Sequence, residues 1–203
     1  MPHSPDEVIA KDAGGGFAPH SEGQFAMVCT DIVNLGVNVE QFPGQEPRET
    51  AKVALVFASG ERHPDESLIL VTTEMTISAN EKANLRKFLE SWRGKSYTQA
   101  QADEGLPISK LHGKAALISI EHVTTRKGRL FAKISSIAPL PKAMPAPDAK
   151  LLIEYERPKF LTDRKAAYAA ALAKHRGDDQ PPVGEPEHWE NDNDNDEDSS
   201  LPF

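Results

Sequence analysis

Leu68-Ile69-Leu70-Val71-Thr72-Thr73-Glu74-Met75-Thr76-Ile77, followed by Leu85, Phe88, Leu89 and Trp92, decides the fold. The first run is rich in branched side chains and predicts a strand. Ser78 with Glu81 three residues on has the form of a helix cap, the four apolar residues then recur at helical spacing, and Gly94 supplies the stop. The hydrophobic period switches from two to 3.6 within one continuous segment, so a helix follows directly on a strand.

Outward from that switch the pattern is mostly β. Upstream, Phe25 to Val33 predicts a first strand and Ala51 to Phe57 a second, in which Val53, Leu55 and Phe57 share one face. Gly36 to Glu49 carries Gly, Pro, Asn and Glu without a helical period and predicts a long loop between them. Downstream, Thr98 to Leu111 predicts a short helical or irregular piece. Ala115 to Val123 gives a fourth strand, Thr124 to Gly128 a tight hairpin loop, and Leu130 to Ile137 a fifth strand stopped by Pro139 and Pro141. Leu151 to Tyr155 reads as an extra strand, and Thr162 to Arg176, with six alanines in fifteen residues, as a helix.

Five strands with a helical insertion between the third and fourth resemble an OB-fold. That fold is a Greek-key β-barrel whose second and third strands, with the loops joining strands one to two and four to five, hold oligonucleotides. The resemblance assigns residues 23–147 to a nucleic-acid-binding barrel, with a flexible leader over 1–22, the extra strand and helix over 148–177, and a disordered acidic tail over 178–203. The stretches Leu85 to Lys95 and Leu130 to Pro141 also look like phage replication proteins that bind single-stranded DNA.

The charge divides the chain in the same way. Over all 203 residues, 23 Lys+Arg face 31 Asp+Glu, a net of -8, which taken alone argues against a nucleic-acid binder. Ten of the acids lie between Asp178 and Phe203, where there is no Lys or Arg, so residues 1–177 carry a net of +2. Between Asn80 and Lys150 the balance is 13 basic to 6 acidic, a net of +7. A basic surface and an acidic tail are therefore separate objects.

That tail ends Asp192-Asn193-Asp194-Asn195-Asp196-Glu197-Asp198-Ser199-Ser200-Leu201-Pro202-Phe203. An acidic run closing on a large aromatic resembles the tail of bacterial and bacteriophage single-stranded DNA-binding proteins. The resemblance implies a protein that coats single strands and recruits replication or recombination proteins through Asp194, Asp196, Glu197, Asp198, Leu201, Pro202 and Phe203. It also implies a cytoplasmic protein without catalytic residues or cofactor.

Single strands are bound by cations that follow phosphates and by aromatic faces on which bases stack. Arg126, Lys127 and Arg129 cluster in the loop between the fourth and fifth strands, with Phe131 and Lys133 next on one face of the fifth. Arg86, Lys87, Arg93 and Lys95 surround the helix bearing Trp92, whose place in the apolar stripe reads as core before it reads as a stacking platform. Lys52, opposite in parity to Val53, is a further candidate on the second strand.

Other chemistries lack their residues. Asp192, Asp194 and Asp196 alternate as in a calcium loop, but Glu197 stands where glycine is needed and Phe203 where a bidentate Glu belongs. One cysteine, Cys29, and seven scattered histidines give no zinc spacing, and Gly14-Gly15-Gly16 precedes no P-loop Lys-Ser/Thr pair. No apolar run is long enough to span a bilayer. Two other readings stay open: an acidic interaction protein or DNA mimic that binds no DNA, and a strand-annealing protein that forms large rings. Self-association through the alanine-rich helix is compatible with any of them.

Overall fold

The computed structural model describes residues 18–125 and 128–177. Five antiparallel strands, β1 (Gly23–Glu40), β2 (Arg48–Arg62), β3 (Leu68–Thr76), β4 (Ala115–Thr124) and β5 (Leu130–Pro139), form one sheet in the order β3-β2-β1-β4-β5. Helices α1 (Asn84–Arg93) and α2 (Gln99–Asp103) and a 3-10 turn, Ile108–Leu111, join β3 to β4, while α3 (Lys150–Glu154) and α4 (Lys159–Arg176) follow the sheet. The fold is mainly β with helices, and no described helix is long and apolar enough to cross a membrane.

β1 is the organising strand. Its first part, Gly23 to Val28, pairs with β4, and the rest, Val28 to Glu40, pairs with β2. Register shifts between Cys29 and Asp31 and between Asn34 and Gly36 interrupt that second ladder. A bulge moves side chains to the opposite face. Met27 and Cys29 accordingly face the main core before the first bulge, whereas Ile32 packs there after it and Val33 and Leu35 join a second cluster behind the sheet. The broken alternation hid this half of β1: the long loop predicted over 36–49 is a hairpin whose turn occupies only the residues between Glu40 and Arg48.

The main core lies on one face of the sheet. Val53, Leu55 and Phe57 of β2 share it with Val71, Ile118 and Ile137, and α1 closes it with Leu85, Leu89 and Trp92. Trp92 is 6% exposed, its ring centroid stands 5.5 Å from that of Phe57, and its Nε1–H donates to the Ala115 carbonyl. Gly94 caps α1 at φ 74°, where a Cβ would come within 2.8 Å of Pro139, so close packing and left-handed backbone both demand glycine. The capping box read at Ser78 and Glu81 does not form. Ala83 is the N-cap without a side-chain bond, Ser78 accepts the Asn80 N–H in a preceding turn, and the capping box belongs to α2, between Thr98 and Gln101.

The other face of β1 and β2 is covered by the C-terminal segment. The strand predicted over Leu151 to Tyr155 is α3 instead: a short apolar run carries no period that separates strand from helix, and Asp148 starts the turn by accepting the Lys150 N–H. Leu151 packs on Val28 and Ala58, and Leu161 of α4 on Val33, Leu35, Ala54 and Val56. Side chains strap the segment down. Tyr155 Oη and Arg157 Nε each donate to Asp31 at 2.7 Å, Arg164 pairs with Glu74 at 3.1 Å, and Arg176 pairs with Glu49 at 2.6 Å. Burial pushes the Asp31 carboxyl up, but hydrogen bonds from Arg157 and Tyr155 outweigh it and hold the group below its ordinary range. Cys29 is fully buried and burial pushes its thiol up to about 12, which makes it a packing residue.

Candidate nucleic-acid interface

The β4–β5 hairpin builds the most open part of the predicted site. Thr124 pairs with Leu130, the Thr125 N–H donates to the Arg129 carbonyl, and the Arg129 N–H returns to the Thr125 hydroxyl at 3.0 Å. Gly128, at φ 77°, makes this turn possible. Arg129 projects from the turn exposed, and its side chain makes no ion pair among the described residues. Alternation along β5 sends Ala132 and Ile134 to the core and leaves Phe131, 41% exposed, and Lys133 outside. Lys133 meets Glu121 across the ladder at 3.3 Å, a pair so exposed that it is worth at most about 1 kcal/mol. Arg126 and Lys127, and the tail residues Asp194, Asp196, Glu197, Asp198, Leu201, Pro202 and Phe203, lie outside the described residues.

The cations near α1 are not brought to this hairpin. β5 has 10 residues, Leu130 opens it and Pro139, packed against Gly94, ends it, so the hairpin and the C-terminal end of α1 sit at opposite ends of a strand about 30 Å long at a rise near 3.3 Å per residue. Lys87 and Lys95 are exposed there, while Arg93 lies 4.7 Å over the Tyr97 ring. Arg86 is buried and used up internally: it donates to Glu90, to the Ala79 carbonyl and to the Tyr97 carbonyl, tying α1 to both flanking loops. Lys52 is likewise buried on β2, bonded to Glu40 and to the Thr76 hydroxyl. Its parity is the one predicted, but the long β1–β2 hairpin, unseen in the sequence, places Glu40 over it.

Beside the hairpin runs a groove of about 690 Å³ between β3, the start of β5 and the start of α4. Leu70, Thr72 and Glu74 line its floor, Arg129 and Phe131 one rim, and Phe160 and Arg164 the other. Glu74 holds no free charge there, because Arg164 and the Tyr168 hydroxyl both bond to it. Phe160 had no sequence signal: its exposure follows from where Leu161 is buried, a tertiary fact.

One end of the groove is closed by a clasp on the segment before β1. His20 is fully buried, with Nε2 at 2.7 Å from the Ser59 hydroxyl and Nδ1 at 3.0 Å from the Glu61 carboxylate. Ser21 donates twice to Glu61, and His122 reaches the His20 carbonyl at 2.8 Å. Burial pushes the Glu61 carboxyl up, but the Ser21 hydrogen bonds and the nearby His20 and His122 hold it below its usual range. Ser59, His20 and Glu61 have the connectivity of a hydrolytic relay. The Ser59 oxygen also accepts the Glu61 N–H at 3.2 Å, and the three together tie the segment before β1 to the end of β2. Among the described residues no cluster of three or more His, Cys, Asp or Glu side chains could hold a metal ion.

Comparison with protein-family models and with curated proteins finds no match.

Proposed function

We propose that the protein is a non-catalytic, sequence-tolerant binder of single-stranded DNA, with an OB-type barrel that grips the strand at the β4–β5 hairpin and an acidic C-terminal segment that holds replication or recombination proteins. The observation that carries this reading is Phe131, an aromatic held exposed on a regular strand between Arg129 and Lys133 and opening on a groove. An exposed aromatic flanked by Arg129, which has no ion-pair partner among the described residues, and by Lys133, whose pair with Glu121 is exposed and weak, suits a stacked base and its phosphate. The sheet supports the barrel: β3-β2-β1-β4 is Greek-key order, the edge strands β3 and β5 come into contact, and α1 packs against both.

Fluorescence-anisotropy titration of a labelled single strand and of its duplex, across a salt series, tests the proposal. Preference for the single strand, with affinity falling as salt rises, is the expected outcome. A chain ending at Gly177, free of ten acids that compete with DNA, binds more tightly at low salt, whereas removing Phe203 alone leaves DNA binding intact and abolishes capture of the partner. Failure of both chains to bind a single strand sinks the proposal and leaves the acidic segment as a protein ligand in its own right.

A further inference from the structure

Phe160 is an exposed aromatic that the fold holds in place. It is 51% exposed at the start of α4, yet the next residue, Leu161, is 2% exposed and locked among Val33, Leu35, Ala54 and Val56. One and two turns further on, Arg164 and Tyr168 fasten the helix to Glu74 of β3. A phenyl ring left half in water on an anchored helix forgoes part of its hydrophobic burial, and it does so on the rim of the groove that Phe131 also lines.

We propose that Phe160 is a second stacking platform and that a base of the single strand sits in the groove between Phe160 and Phe131. This rests on the single-strand reading above and assigns part of the site to α4, outside the sheet. The groove volume lies within the range of sites that enclose small ligands. Its floor does not repel phosphate, since Arg164 neutralises Glu74, and Arg129 on the hairpin rim supplies the cation. Arg164 is a positioning residue: bound to Glu74, it fixes the pitch of α4 and hence the place of Phe160. A space walled by aromatics from two elements accepts any base, because each has a π-face, but not a base already stacked and paired in a duplex.

The full chain and its Phe160→Ala, Phe160→Leu, Phe160→Trp and Phe131→Ala variants, titrated into a labelled oligothymidylate, provide the test. Phe160→Ala and Phe160→Leu weaken binding about 5- to 100-fold with an unchanged salt slope and unchanged melting temperature, and Phe160→Trp restores it. Phe160→Leu keeps the apolar bulk without the ring, so a purely structural role for Phe160 would leave that variant binding normally. If Phe131→Ala weakens binding while Phe160→Ala and Phe160→Leu bind as the parent does, the second platform is refuted and the single-strand reading stands. If the parent chain does not bind the oligonucleotide, both fall together.

Discussion

The two ends of β5 carry the same ingredients and expose them to opposite degrees. At the Pro139 end, Trp92 and a run of cations lie on α1; at the Leu130 end, Phe131 and another run lie on a hairpin. Trp92 is 6% exposed and Arg86 is buried with its donors on two carbonyls and a carboxylate, whereas Phe131 is 41% exposed and Arg129 has no ion-pair partner among the described residues. Composition alone does not make a binding surface. The difference lies in what each aromatic has behind it: α1 must close a core and spends Trp92 doing so, while β5 closes the same core with Ala132, Ile134 and Ile137 and leaves its odd-numbered start outside.

Exchanging the roles should fail in graded ways. Trp92→Ala, which empties the largest side chain under α1, lowers unfolding free energy by about 3 to 5 kcal/mol in a denaturant titration. Arg86→Ala costs about 2 to 3 kcal/mol by the same measurement, because two carbonyls and Glu90 lose a charged donor. Arg86→Lys recovers little of it, since an ammonium cannot reproduce the fork. If Arg86→Ala left stability unchanged and weakened DNA binding, the division between the two ends would be wrong. Phe131→Ala is the converse: stability changes by less than about 1 kcal/mol, and single-strand affinity falls by about 1 to 3 kcal/mol. The smallest effect belongs to Arg129→Gln, which lowers the slope of log affinity against log salt by about 0.7, one phosphate contact, and leaves unfolding untouched.

Much of the frame was legible because it is written in local periodicity. The alternation of Val53, Leu55 and Phe57, the helical stripe of Leu85, Leu89 and Trp92, and Gly94 as a stop each depend on residues a few positions apart, and each is found as read. What the pattern concealed is non-local. The bulges in β1 reverse its parity, so Val33 and Leu35 look like the end of a strand when they are the middle of one. α3 is too short to declare a period. Lys52 could be placed on the correct face, but not under Glu40, whose approach depends on a hairpin of unknown register. The exposure of Phe160 and the burial of His20 depend on partners from distant strands, Leu161 against β1 and β2 and Ser59 against the leader. The proposed site is thus half visible: its hairpin rim can be read along the chain, and its α4 rim cannot.

The most direct test of the contrast between the two ends of β5 is photocrosslinking of a single strand carrying 5-iododeoxyuridine to the full chain, with the attached peptides mapped by mass spectrometry. Attachment at Phe131 on the hairpin rim of the groove, and none in α1, is the expected result. Crosslinks confined to α1 and its flanking cations, with Phe131 unmodified, would contradict it.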